Sequence, residues 1–284
     1  MKKFSKPIIA LVIFLATQVV MSFAVVVVAI ALKVATDPTV LEALKNGDST
    51  VFAEVASNAN VLSSALILSS IITILLMIKP LGMFSFKQGF KPSGVGIKLS
   101  VIAIVAAFFG MFGSDLINAA IKLPNIIEAQ LNGMSATFLG ALAISIVGPL
   151  AEEVVFRGAM MGYMLKQNVS PTVAILVSAL LFGLMHINPA QVPFAMIVGV
   201  ILGVIYYRTG NIILTTIIHV INNSIATILA NISDGSSFTD DMSMGASIGC
   251  VIAGLVGLAI CYLMLRKFWN GTETITYSAN EDIE

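Results

Sequence analysis

The feature that most constrains this chain is its series of long apolar runs. A helix needs about 17 to 25 predominantly apolar residues to cross the ~30 Å hydrocarbon core of a bilayer. Runs near that length occur at 8 to 32, 60 to 78, 97 to 119, 136 to 150, 171 to 187, 192 to 207, 211 to 230 and 245 to 265. Backbone groups in lipid have no water to bond, so segments of this kind must satisfy themselves as helices. The expected fold is therefore all-α, a polytopic membrane helical bundle with about eight transmembrane helices; three runs are short or interrupted, which leaves seven or nine open. Composition agrees, with 58% hydrophobic and 11% charged residues and a mean hydropathy of +0.99. The first run follows Lys2, Lys3 and Lys6 and continues for about 25 residues with no small-residue cleavage site. It reads as a retained span rather than a signal peptide.

Basic residues set the expected orientation. With a cytoplasmic amino terminus, Lys2, Lys3, Lys6, Lys79, Lys87, Lys91, Lys98, Lys166, Arg208, Arg266 and Lys267 fall inside, and Lys33, Lys45 and Lys122 fall outside. Eleven against three places both termini in the cytoplasm of a multi-pass cell-membrane protein. Net charge is zero and the basic residues are scattered over short loops, which gives no footprint for nucleic acid. The partner these features imply is the lipid bilayer; oligomeric state is not legible. Cys250 and Cys261 lie on one predicted helix, roughly 16 Å apart at the α-helical rise, too far to bond to each other. They form neither a disulfide framework nor a thiolate zinc site.

Three regions are expected: amino-terminal transmembrane helices over 1–121, a membrane core over 136–230, and a last helix with a cytoplasmic tail over 245–284. The first holds an acidic outer loop (Asp37, Glu42, Asp48, Glu54) and an inner loop from Lys79 to Lys98. Residues 122–134 read as an interfacial connection, 231–244 as a polar outer loop, and 269–284 as a disordered charged tail. No internal repeat or inverted pair of broken helices appears, which argues against a transporter. Glycine pairs four apart (Gly158 and Gly162, Gly199 and Gly203, Gly245 and Gly249) are expected to let helices approach closely within the bundle.

Polar side chains in a membrane are costly, so those that cannot reach water mark the candidate site. They are Glu152, Glu153, Arg157, His186, His219, Asn222 and Asn223, with Asp115 apart as a packing or cavity residue. Glu153 and Arg157 stack four apart on one helix face, in the favourable order, and neutralise each other. Glu152 points about 100° away and is left free to act as a general base. Phe182 shares a face with His186 and walls the imidazole; His219 shares a face with Asn223. The latter pair suits donation to an oxyanion or, with Glu152 and His186, a metal site of nitrogen and oxygen ligands. Asn222 points elsewhere and reads as packing. The cost of this arrangement is a question of depth: Glu152 and His219 fall in the inner half of their spans, His186 near the outer end. The turn HINPAQ, His186 to Gln191, is expected to be recessed as the floor of a chamber open to the cytoplasm, with a break at Gly148 and Pro149.

In order and spacing, IVGPLAEEVVFRG, LLFGLMH and IILTTIIHVINN on successive helices resemble the CAAX prenyl endopeptidase and bacteriocin-processing (CPBP) family of intramembrane proteases, which includes type II CAAX endopeptidases. The resemblance covers roughly 136 to 230, makes that stretch the catalytic membrane core, and implies a peptide or membrane-protein substrate as partner beside the lipid bilayer. It implies an eight-helix membrane protease in which Glu152 and His186 activate a water, His219 and Asn223 hold the oxyanion, Glu153 and Arg157 support the site, and Phe182 lines it. It leaves open whether one divalent metal such as zinc takes part, with Glu152, His186 and His219 as its ligands, or none; the absence of an HExxH helix favours the metal-free form. The chain reads as bacterial, so a prenylated substrate is not implied. The alternative function is a non-proteolytic bacteriocin-immunity or scaffold protein of the same fold. A proton-coupled transporter is the third reading.

Overall fold

The computed structural model describes residues 2–79, 81–90, 94–232, 243–273 and 277. Lys91, most of the polar loop read at 231–244 and most of the tail after Glu273 lie outside the described residues. Seven helices are long and apolar enough to cross a membrane: α1 (Lys2–Thr36), α2 (Ala59–Ile78), α3 (Ile97–Ile121), α4 (Phe138–Lys166), α6 (Val192–Thr209), α7 (Ile213–Ile232) and α8 (Met244–Gly271). Between them lies α5 (Pro171–Leu184), apolar but only 14 residues long, about 21 Å at the α-helical rise. Among the described residues every regular element is helical, and the protein is a polytopic helical bundle. Large apolar side chains face outward all along it, Val19, Phe23, Leu75, Leu229 and Leu263 among them, the surface that lipid requires.

Hydropathy alone ends the fourth run at residue 150, because Glu152, Glu153 and Arg157 interrupt it. In the structure α4 continues through them to Lys166, so the charged cluster lies in mid-helix. Pro149 does not break it. Instead the helix widens to π geometry over Ala143–Val147 and again over Glu153–Met161. A π turn leaves carbonyls without their usual helical donor, and a neighbour takes one from each widened stretch. Asn223 Nδ2 donates to Ile144 O at 3.0 Å, and Ser178 Oγ donates to Phe156 O at 2.9 Å.

Glycine sets the closest helix contacts. A Cβ on Gly199 would lie 2.8 Å from Ala179 Cα, and one on Gly113 2.7 Å from Gly254 O, so α6 lies against α5 and α8 against α3. The expectation for Gly199 and Gly203 holds, since both abut α5. Gly245 and Gly249 meet nothing within 4 Å and do not pack inside the bundle; their helix makes its close approach one turn later, at Gly254 and Gly257. The acidic loop between α1 and α2 contains two short helices, Pro38–Lys45 and Thr50–Ser57. Asp37 caps the first, and bonds from the Thr39 hydroxyl and backbone N–H hold its carboxyl below the usual carboxylate range.

Cross-chain bonds define the two ends of the bundle. At one end Lys3 Nζ reaches Asn168 O and Ile212 N donates to Gly89 O. Arg208 there bonds Trp269 O and Thr272, and the Tyr277 phenol donates to the carbonyls of Tyr206 and Tyr207. The start of the tail, expected to be disordered, is thus helical to Gly271 and docked on α6 as far as Thr272, with Tyr277 docked again. At the other end Asn118 Nδ2 donates to Ala190 O, Asn188 Nδ2 to Asn125 Oδ1, and Asn231 Nδ2 to Ser135 O.

Candidate active site

Arg157 and Glu153 are both fully buried, and Arg157 Nη1 stands 2.8 Å from Glu153 Oε1. The pairing expected from their spacing is present. The guanidinium also bonds Gly199 O and lies 4.5 Å from the centre of the Phe182 ring. A charge pair in so dry a site needs both ions neutralised and bonded; the second helix and the ring supply part of that environment, while Glu153 Oε2 and Arg157 Nε stay buried without a hydrogen-bond partner.

The same Glu153 oxygen meets His219 Nδ1 at 3.0 Å. His219 Nε2 points the other way, 3.5 Å from Glu152 Oε2. The imidazole therefore bridges the two adjacent glutamates, one sealed and one retaining 23% side-chain exposure. Sequence spacing separated Glu152 from Glu153 but did not show that one histidine would reach both, because that contact is made across two helices.

Glu152, Phe182, His186, His219 and Asn223 line one chamber of about 390 Å³. Phe182 stands at its centre of packing, edge-on to His186 with ring centroids 5.1 Å apart and to His219 at 5.6 Å. His186 Nδ1 bonds Phe182 O at 2.9 Å, which leaves Nε2 as the nitrogen with no bond inside its own turn. Asp115 lines the chamber too, the cavity role expected of it. Asn222, read as packing, also lines it and donates to Asn223 Oδ1 at 3.2 Å: the chamber wraps far enough around α7 to include positions 100° apart.

The rim comes from parts of the chain that carried no chemical signal. Asn125, Glu128, Leu131, Asn132 and Ser135 of the 122–136 connection contribute to the lining, as does Gln191. The connection also clamps the turn after α5. Asn188 is fully buried; it bonds Asn125, accepts from Ile126 N at 3.1 Å, and its neighbour Ala190 donates to Pro124 O. The polar residue next to Pro189 was the one available hint. Ile187, immediately before it, holds a φ of +54°, strained for a β-branched residue. The turn is anchored inside the protein as expected. It lies at the bundle end opposite Lys3, Arg208 and Trp269, and the chamber lies toward that end as well, because α5 stops short and the chain turns back beneath the 122–136 connection.

A zinc site here would draw on Glu152, His186 and His219. Among the described residues no three His, Cys, Asp or Glu side chains stand close enough together to hold an ion. The geometry present does not make a three-ligand zinc site, and no chemical step below runs through one.

The fold and this cluster define a polytopic helical membrane protein with a buried carboxylate and imidazole site. Residues 134–225, the stretch that carries all three motifs, match the family model described as type II CAAX prenyl endopeptidase Rce1-like. The "Putative membrane peptidase YdiL" of Bacillus subtilis (strain 168) is 25% identical over 170 residues, covering 57% of this chain and 68% of that protein. No solved structure matches the chain. The motif-bearing stretch is thus similar to the type II CAAX endopeptidases of the CPBP family, and that likeness supports a membrane protease function in general terms.

Proposed function

We propose that the protein is an intramembrane endopeptidase that hydrolyses a peptide bond of a membrane-associated peptide or protein. It is a multi-pass protein of a bacterial cell membrane with both termini in the cytoplasm. The observation that carries this reading is the unequal fate of two adjacent glutamates: Glu153 is sealed behind the site on Arg157, while Glu152 keeps access to a chamber shared with two histidines and an asparagine. A scaffold has no physical need of a carboxylate kept in that position at the cost of desolvation.

In the proposed reaction Glu152, aided by His186, removes a proton from water as the water oxygen attacks the peptide carbonyl carbon. The carbonyl electron pair moves onto oxygen, where Asn223 and, when its Nε2 carries a proton, His219 stabilise the oxyanion by donating to it. Asn223 Nδ2 has one hydrogen engaged by Ile144 O, which orients the amide and leaves the other free. The intermediate collapses with cleavage of the C–N bond, and the proton held by Glu152 passes to the leaving amine. Glu153 keeps the His219 ring in register, as a second carboxylate orients a catalytic imidazole.

The test is cleavage of a panel of quenched-fluorescent peptides, some lipidated, by the purified protein in detergent with and without chelators. Cleavage by the wild type and none by Glu152→Ala supports the reading. Loss on chelation, restored by zinc, would show that a metal joins the site. No cleavage of any peptide, with Glu152→Ala still functional in cells, would move the assignment to an immunity or scaffold protein.

A further inference from the structure

We infer that the chamber opens toward the extracytoplasmic face of the membrane, so that the substrate class is a peptide segment presented outside the cytoplasm. This rests on the proposed protease reading for the word substrate, but not for the direction of opening.

Two independent observations combine. The first is geometric. The chamber rim is built from Glu128, Asn132 and Ser135 of the connection after α3, Gln191 of the turn after α5, and Leu229 and Ala230 at the end of α7. Bonds from Asn118 to Ala190, Asn188 to Asn125 and Asn231 to Ser135 fasten these segments together as one end of the bundle. Lys3, Gly89, Asn168, Arg208, Thr272 and Tyr277 are fastened together at the other.

The second is the distribution of charge. Of the eleven lysines and arginines counted for the inner side, all but Lys91, which lies outside the described residues, belong to helix ends and loops of the second group, and only Lys33, Lys45 and Lys122 belong to the rim end. Orientation follows such an excess in short loops. The same rule that keeps the termini in the cytoplasm therefore turns the rim outward. The short α5 matters here: its 14 residues end at Leu184, so His186 comes near the depth of Glu152 instead of reaching the surface, and the resulting recess opens on that one side.

The direction can be measured without turnover. In a Cys250→Ser background, where the remaining Cys261 is buried, Asn132→Cys on the rim and Lys87→Cys on the opposite end would each be exposed in intact cells to a membrane-impermeant maleimide. The expected result is labelling of Asn132→Cys in intact cells, and of Lys87→Cys only after the membrane is permeabilised. The reverse pattern, or labelling of both in intact cells, would overturn the inference. Neither outcome depends on catalysis, so failure here is separable from failure of Glu152→Ala to abolish cleavage.

Discussion

His219 Nδ1 lies 3.0 Å from Glu153 Oε1, while its Nε2 faces Glu152 across 3.5 Å. A single imidazole thus couples a carboxylate committed to structure with one left to chemistry. The two glutamates should respond to substitution in opposite ways.

Glu153→Ala leaves Arg157 buried without its counter-ion. Removing one partner of a buried pair costs about 3–5 kcal/mol. The expected outcome is a large fall in the thermal unfolding midpoint in detergent, with reduced yield. Glu152→Ala should unfold close to the wild type, since its side chain keeps access to the chamber. Equal destabilisation by both changes would contradict this division of labour.

Phe182 touches the guanidinium of Arg157 and both imidazoles. Phe182→Ala should cost about 3–5 kcal/mol, the usual range for emptying a buried aromatic site. Phe182→Leu keeps most of the volume and should retain the fold, but cleavage should fall because both rings lose the wall that holds them. Thermal unfolding and turnover measured on the pair of variants separate the two effects.

How much of this arrangement was legible in the sequence depends on the kind of contact. The helical class of the fold follows from apolar run lengths, and the Glu153 to Arg157 pair from spacing within one helix. His186, His219 and Asn223 could be named because histidine and asparagine are expensive in an apolar helix. What spacing could not give was any relation made between helices: His219 reaching both glutamates, or Asn222 lining the chamber. The π turns were hidden for a similar reason. Gly148 and Pro149 signalled a disturbance, but whether a helix breaks or widens depends on the neighbours that take its freed carbonyls, here Asn223 and Ser178. The tie between the HINPAQ turn and the connection after α3 was hidden too, because Asn125 and Asn188 are ordinary loop residues until the fold brings them together.

Asn188 is the anchor of that turn. Asn188→Ala removes bonds to Asn125 and Ile126 and leaves their groups unpaired at about 1–3 kcal/mol. His186 stands two residues away, so the expected outcome is faster backbone hydrogen exchange over residues 186–191, with cleavage reduced more than global stability. Unchanged exchange in that segment would contradict the anchoring role.

Ile187 supplies a test of the opposite sign. Its positive φ costs a β-branched residue roughly 1–2 kcal/mol that glycine avoids, and its side chain is largely exposed. Ile187→Gly should therefore leave stability unchanged or raise it, read as the unfolding midpoint. A fall of the size seen for Asn188→Ala would show that the Ile187 side chain carries packing that its exposure does not suggest.

The most direct test of the central claim compares peptide cleavage by wild type, Glu152→Gln and Glu153→Gln, each first shown to be folded by its unfolding curve. The account predicts that Glu152→Gln retains the wild-type unfolding midpoint and loses cleavage entirely, because an amide cannot take the proton of the attacking water. Cleavage by folded Glu152→Gln at the wild-type rate would contradict it.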